Sequence, residues 1–393
     1  MNRLAVLFVD DEPRILEGIG RMLRGMRDLW DMRFANDGAA ALRELERAPA
    51  NVVVTDMRMP GMTGADLLEQ VKSRWPETVR IVLSGQTDRA LVNRVVQCAH
   101  QCLGKPCAPD LLRSTIERSC ALRALVADPA IRRLAGAVEA LPSVPAVYDD
   151  LMAVIADENA SVADAAAIVA RDPAMSAKLL QVVNSAFFGL GRKISHPGDA
   201  ATLLGFDALR ALVLTANAFQ SLSAGSALAD ELWRHAMEVS GACRLIARAE
   251  RLDRSLADHA FMAGMLHDAG QLLYEQRMPG TYAHLVRASR DRGVRLDAAE
   301  EALLHVSHAS LGGYLLSLWG LPDAIIEAVA FHHSPLRGPV PALGALAILH
   351  VADGLVEDPS GASLDTAYLA AVGTSDRVPA WTAAIAEAKA GAM

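Results

Sequence analysis

The sequence predicts two folds in series: an α/β doubly wound parallel sheet over residues 1–123, then an all-α module over most of the remainder. Three observations carry this expectation. At the start of the chain, apolar runs of four to six residues alternate with amphipathic segments, as in strands buried on both faces by helices. From residue 146 onward the pattern is nearly all helical, with Ala, Leu and Val at three- and four-residue spacing. No Gly/Ser-rich tract separates the halves, so a helical and fairly stiff join is expected around 124–140.

In order, "LAVLFV" (4–9) reads as a strand ending in Asp10-Asp11, and "RILEGIGRMLRGM" as a helix. "NVVVTD" (51–56) is the next buried-type strand, "GADLLEQVKSRW" a helix and "VRIVLSG" (79–85) a strand. "ALVNRVVQC" follows as a helix, then "CLGKP" and the helix "PDLLRSTIERSCALRALV". In open parallel sheets the functional residues gather beyond the carboxyl ends of the strands. That rule selects Asp10, Asp11, Asp56, Ser84 and Lys105. Carboxylates converging on one pocket repel unless a divalent cation sits among them, and all-oxygen ligation suits Mg²⁺. With Mg²⁺ present, a carboxylate can attack a phosphoryl donor and become an acyl phosphate, with Lys105 and Ser84 holding phosphoryl oxygens. "MPGMTG" supplies the Pro and Gly for a turn that exposes Asp56.

Four pieces in order, "LFVDDEPRIL", "VVVTDMRMPGMTGADLL", "IVLSGQT" and "CLGKPC", resemble the receiver domain of bacterial two-component response regulators. The resemblance covers residues 1–123 and implies a five-stranded sheet. It implies Asp56 as phosphoacceptor, with Asp10, Asp11, Asp56 and the Met57 carbonyl around Mg²⁺, Ser84 as switch hydroxyl and Lys105 as the phosphate-pairing lysine. Cys102 stands where many receivers carry an aromatic switch residue. The partners implied are a sensor histidine kinase or phosphotransfer protein and a downstream signalling protein, with a homodimer left open.

Composition narrows the classes. The 393 residues, 52% hydrophobic and 21% charged, suit two or three globular domains. The formal charge of −8 argues against a whole-chain nucleic-acid binder. Residues 1–123 hold 18 Lys+Arg against 16 Asp+Glu, so about −10 lies in the rest. Five cysteines show no CxxC pair, and reduced thiols are expected. "MNRLAVLFVDD" has too short an apolar run for a signal peptide, and no run of about 18 uncharged apolar residues suggests a membrane span. A cytoplasmic location is therefore expected.

Beyond the join, "LPSVPAVYDDLM", "IVARDPAMSAKLLQVVNSAFFG", "ISHPGDAATLLGFDALRALV" and "GMLHDAG" resemble the HDOD domain, a relative of the HD phosphohydrolases. The resemblance places this domain at 141–355, with a helical extension at 356–393. It implies a helical signalling module, often attached to receivers and often regarded as non-catalytic. Phe187 and Phe188 read as core packing.

The histidines are the informative residues here. His235, His267, Asp268 and Asp353 match, in order, the H…HD…D pattern of HD hydrolases. His308 with His332 or His333 would extend it to a two-metal site. Imidazole and carboxylate ligands of this kind suit Mn²⁺, Fe²⁺ or Zn²⁺; the alternative is a set of hydrogen-bonded core and helix-end histidines. Cyclic-di-GMP phosphodiesterases of the HD-GYP type carry a lysine where Gln271 stands, and a His-His-Glu segment where this chain reads "HHSPLRGP". The output expected is therefore protein contact, with a metal-dependent phosphohydrolase acting on cyclic-di-GMP or another phosphoester as the alternative.

Overall fold

The computed structural model describes residues 3–84, 98–123, 125, 126, 128–136, 142, 143, 150, 151, 154, 160–184, 193–204, 220, 221, 227–278, 280–338 and 341–391. The chain forms two compact units, one mainly residues 1–139 and the other mainly 140–393.

The first unit is a five-stranded parallel sheet in the order β2-β1-β3-β4-β5. Its strands are β1 (Leu4–Val9), β2 (Trp30–Ala35), β3 (Val52–Asp56), β4 (Val79–Ser84) and β5 (Gln101–Gly104). Helices α1 (Pro13–Met22), α2 (Gly38–Arg47) and α3 (Gly64–Arg74) intervene. Leu7, Val53, Leu67, Leu68, Val71 and Val82 are fully buried, as expected for strands covered on both faces. The order reverses direction between β1 and β3, so the carboxyl ends of these neighbours form the crevice of a doubly wound sheet. The chain leaves β1 through Asp10 and β3 ends on Asp56, so both acids reach that crevice.

The sequence reading passed over β2, "WDMRFA". It is an edge strand whose buried ends flank polar and exposed positions, so it lacks the apolar run of its neighbours. Gly64, which starts α3, is fixed by space. A Cβ there would lie 2.1 Å from the Asp56 carbonyl oxygen. Thr63 and Asp66 close a capping box over the same turn.

The sheet continues into α4 (Pro109–Arg123) and α5 (Pro129–Gly136). Arg80, buried at the start of β4, holds α5 in place. Its guanidinium donates to the carbonyls of Cys98 (2.6 Å) and Gly136 (2.7 Å) and lies 2.8 Å from His100 Nε2. Arg132 on α5 and Arg123 on α4 both pair with Glu77. The first part of the expected join is thus helical and packed on the sheet domain.

The second unit is mostly helical, as the spacing predicts, with one short parallel strand pair, Pro142–Ser143 beside Gln220–Ser221. It contains α6 (Val162–Val169), α7 (Pro173–Val183), α8 (Pro197–Leu204), α9 (Ala227–Ala249), α10 (Arg254–Leu266) and α11 (Ala269–Arg277). Then come α12 (Thr281–Asp291), α13 (Leu296–Leu304), α14 (His308–Leu318), α15 (Asp323–Phe331), α16 (Ala345–Glu357), α17 (Thr366–Val372) and α18 (Val378–Gly391). Helices α9, α10, α15 and α16 pack together around Val239, Ile246, Met262, Leu266, Val329 and Ile348. Glu250 ties α18 to the end of α9 by accepting from Arg377 and from Trp381 Nε1. The expected helix "ALVNRVVQC" up to Gln97, most of "AVYDDLMAVIA", the stretch "GFDALRALVLTANAF", and Phe187 and Phe188 lie outside the described residues.

Candidate functional site

At the carboxyl edge of the sheet, Lys105 reaches across from the end of β5 to the acids of β1 and β3. Its ammonium donates to Asp10 Oδ2 at 2.7 Å and to Asp56 Oδ1. Burial alone would lower the lysine's pKa, but its hydrogen bonds to the two carboxylates outweigh that and leave it raised. The other oxygens are also engaged. Asp10 Oδ1 accepts from Glu12 N at 3.0 Å, and Asp56 Oδ2 from Arg58 N at 2.7 Å. The Met57 carbonyl accepts from Gly64 N at 3.0 Å, which sets its direction and leaves it a second lone pair. Asp11 follows Asp10 in the loop out of β1. Ser84 ends β4, paired in register with Gly104; its side chain is not among those described.

In the helical unit, "GMLHDAG" occupies a joint between helices. His267 closes α10 and Asp268 stands immediately before α11. Gly270 lets α11 approach the first turn of α14, since a Cβ there would meet the His308 carbonyl oxygen at 2.1 Å. All seven residues selected from the sequence come together. His235 projects from α9, His308 opens α14, His332 and His333 follow α15, and Asp353 lies on α16.

Asp353 Oδ1 lies 3.0 Å from His235 Nε2 and 3.5 Å from His267 Nε2. Asp268 stands between His267 (3.3 Å) and His308 (3.4 Å). His308 and His333 face each other, Nε2 to Nε2, at 3.0 Å. Four overlapping triads bring their ligand atoms within 4.8 Å of one another: His308-His332-His333, His235-His267-Asp268, His267-His332-Asp353 and His235-Asp353-Glu357.

The hydrogen bonds behind these rings decide what their front faces can do. Nδ1 of His267 is 2.8 Å from the Gly264 carbonyl, and Nδ1 of His332 is 2.8 Å from that of Val329. A carbonyl only accepts, so each Nδ1 carries a proton and each Nε2 is the ring nitrogen left to face the cluster. Both Nε2 atoms are buried; that of His332 has no hydrogen-bond partner among the described residues, and that of His267 lies 3.3 Å from Asp268 and 3.5 Å from Asp353. Inward-facing imidazole nitrogens beside carboxylates form a donor set that fits a transition metal.

Charge is arranged unevenly. Burial lowers His332, and lowers His333 to about 3, with neighbouring histidines pushing the same way. For His308 burial opposes the proton, but Glu300 overrides it and raises the ring to about 9. His267 is likewise raised against burial by Asp268 and Asp353. Burial would raise Asp268 and Asp353, but the histidines around them hold both well below the usual carboxylate range.

A response regulator receiver domain model matches residues 6–117, and an HDOD domain model matches residues 141–335. The chain is a response regulator, with a receiver domain joined to an HDOD domain. It is 24% identical over 206 residues to an uncharacterized protein of Treponema pallidum, a match covering 52% of this chain and 40% of that protein. It is 38% identical over 129 residues to the hydrogenase transcriptional regulatory protein HoxA of Cupriavidus necator, covering 32% of this chain and 26% of that one. The chain therefore spans less than half the length of these relatives. Among solved structures, the MmoQ response regulator from Methylococcus capsulatus is similar at 20% identity and a TM-score of 0.47, over 60% of this chain and 92% of that chain. Among the described residues, no helix is long and apolar enough to cross a membrane.

Asp353 lies past the matched HDOD residues, on α16, where Glu357 joins it one turn on. Three supports for the HDOD cluster escaped the sequence reading. Glu300, fully buried on α13, accepts from His308 Nδ1 and from His308 N, each at 2.7 Å, and from Tyr282 Oη at 2.5 Å. His350 Nδ1 is 2.7 Å from the His332 carbonyl, and its Nε2 accepts from Asp365 N, so this ring is used structurally. Arg295, just before α13, holds the His333 carbonyl at 2.9 Å.

Glu300 gives a direct prediction. Glu300→Gln puts an amide where three donors converge, leaving one of them without an acceptor. Metal affinity is expected to fall about 10- to 100-fold, measured by chelator competition. An unchanged affinity would show that Glu300 does not support the ligand.

Proposed function

We propose that Asp56 is the phosphoacceptor of this response regulator, taking its phosphoryl group from a sensor histidine kinase or phosphotransfer protein. Asp10, Asp11, Asp56 and the Met57 carbonyl would hold Mg²⁺. The observation that carries this reading is Lys105 spanning Asp10 and Asp56 at the ends of adjacent strands. When bound, Mg²⁺ would offset the mutual repulsion of the acids and of the incoming phosphoryl oxygens.

The chain's own groups do the rest. An Asp56 oxygen attacks phosphorus while the donor's bond to it breaks. Lys105 then exchanges a carboxylate oxygen for a phosphoryl oxygen without moving far. Ser84, at the end of β4, would offer the switch hydroxyl. The modified receiver acts on the HDOD domain, whose output is mainly contact with a downstream signalling protein. The test is residue-level mapping. After incubation with acetyl phosphate and Mg²⁺, borohydride reduction should convert position 56 alone to homoserine; conversion elsewhere with position 56 intact overturns the assignment.

The HDOD cluster is proposed to hold Mn²⁺, Fe²⁺ or Zn²⁺ on His235, His267, Asp268, His308, His332, His333 and Asp353. One observation favours a second reading, a receiver-regulated metal-dependent phosphohydrolase: all of these residues but His332 line a cavity. Bound there, such a metal would supply Lewis acidity toward a phosphoester. Gln271 donates to Asp268 Oδ1 at 2.7 Å, so the position that carries the HD-GYP lysine offers no cation to a ligand.

A further inference from the structure

We propose that a cavity between α12 and α13 binds a medium-chain alkyl carboxylate, its hydrocarbon tail inside and its carboxylate at Arg292. The cavity holds about 340 Å³. That is within the range of small-molecule sites, roughly 300–1,000 Å³. None of the seven candidate metal ligands lines it, so the inference stands apart from the metal reading.

One wall is Met278, Leu285 and Ala288, and the other is Leu303 and Leu304 at the end of α13. Leu303 is 66% exposed, so the mouth opens to solvent and carries apolar surface out to it. Tyr282 lines the interior. Its buried ring lies 5.1 Å from that of Tyr274, and its hydroxyl hydrogen is committed to Glu300. The remaining polar side chains of the lining, Thr281, His284 and Arg292, are all exposed. An amide or ring heteroatom taken into such a space would lose water without gaining a partner, whereas a saturated chain loses nothing.

Charge selects the head group. His284, Arg287, Arg290 and Arg292 lie on α12 or just past it, against a single acid, Asp291. Arg290 is paired with Glu231. The Arg292 side chain makes no hydrogen bond or ion pair among the described residues. A guanidinium with its donors free, at the mouth of an apolar cavity, suits a carboxylate. Arg292 is exposed, so this pairing adds modestly to affinity and burial of the tail supplies most of it.

The test is calorimetric titration of the full-length protein with hexanoate, octanoate and 1-octanol. Octanoate is expected to bind at one site about fifteenfold tighter than hexanoate, since each buried methylene tightens binding about fourfold. Arg292→Gln should weaken octanoate roughly two- to fivefold and leave octanol unchanged. Ala288→Trp, which fills the cavity, should abolish binding of all three. Leu303→Asn, at an exposed position where the fold tolerates change, should weaken octanoate and octanol alike. Equal binding of hexanoate and octanoate, or octanoate binding unchanged in both wall variants, overturns the cavity. Equal octanoate binding by Arg292→Gln and wild type overturns the role of Arg292. Self-association of the wild type that Leu303→Asn abolishes, with no uptake of octanoate, makes a second copy of the chain the occupant and overturns the proposal.

Discussion

Asp56→Asn is expected to abolish phosphorylation by acetyl phosphate or phosphoramidate, with labelling falling to background while the fold is kept. Asparagine has nearly the shape of aspartate and can still accept from Arg58 N, which Asp56 bonds at 2.7 Å. What it loses is the anionic oxygen that attacks phosphorus. Lys105 keeps its 2.7 Å contact with Asp10 in the variant, so the pocket does not collapse. The variant also removes one of the three acids proposed to hold Mg²⁺, weakening the ion as well as the nucleophile. Comparison with Asp11→Asn separates the two effects. Loss of an Mg²⁺ ligand alone should be partly recovered by raising Mg²⁺, whereas loss of the nucleophile should not. Equal labelling of wild type and Asp56→Asn would sink the assignment.

The second large effect concerns the HDOD cluster. After reconstitution with Mn²⁺, Fe²⁺ or Zn²⁺, the wild type should retain metal through gel filtration, and the His267→Ala/Asp268→Ala variant should retain only traces. His267 and Asp268 are buried at the meeting point of the triads, and Asp268 lies near histidines on both sides. Losing both removes an imidazole and a carboxylate from one site and leaves Asp353 and His308 with fewer neighbours. Metal that binds only the folded state adds stability by mass action, about 2.7 kcal/mol at a hundredfold excess over Kd. The wild-type melting temperature should therefore rise with added metal, and that of the variant should not. Trace metal in both proteins would make the cluster a scaffold. Hydrolysis of cyclic-di-GMP by wild type but not by the variant would instead promote the phosphohydrolase reading.

Much of the fold was legible because its signals are local. Asp10 and Asp56 stand out as acids ending buried apolar runs, and a parallel sheet places such residues at one edge. Strand β2 was not legible, since an edge strand bearing Asp31 and Arg33 has no continuous apolar run. The seven candidate ligands in the HDOD unit could be picked because histidines and acids are conspicuous in helices rich in Ala and Leu. Their separations, from 1 to 118 residues, say nothing of proximity, which comes from how α9, α10, α14, α15 and α16 pack.

The supporting residues were hidden for a different reason. Glu300 sits in "LDAAEEALL", which has the look of a solvated helix, and only the approach of His308 and Tyr282 buries it. Arg295, in "DRGVRLD", reads as one more surface charge. Glu357, one turn after Asp353, could have been picked from the i,i+4 spacing alone.

Phosphoryl chemistry at Asp56 is proposed to change the packing of the helices that lead toward the HDOD domain. Helices α4 and α5 are the segment concerned, with α5 fastened by Arg80 to the start of β4, the strand that ends on Ser84. A bound phosphoryl group can shift this equilibrium only by its differential contacts in the two states, typically a few kcal/mol. The most direct measurement is hydrogen exchange over residues 109–136 with and without beryllofluoride and Mg²⁺, in wild type and in Asp56→Asn. The account predicts altered exchange in that segment for wild type and none for the variant. Unchanged exchange there, while peptides around Asp10 and Asp56 become protected, would contradict it.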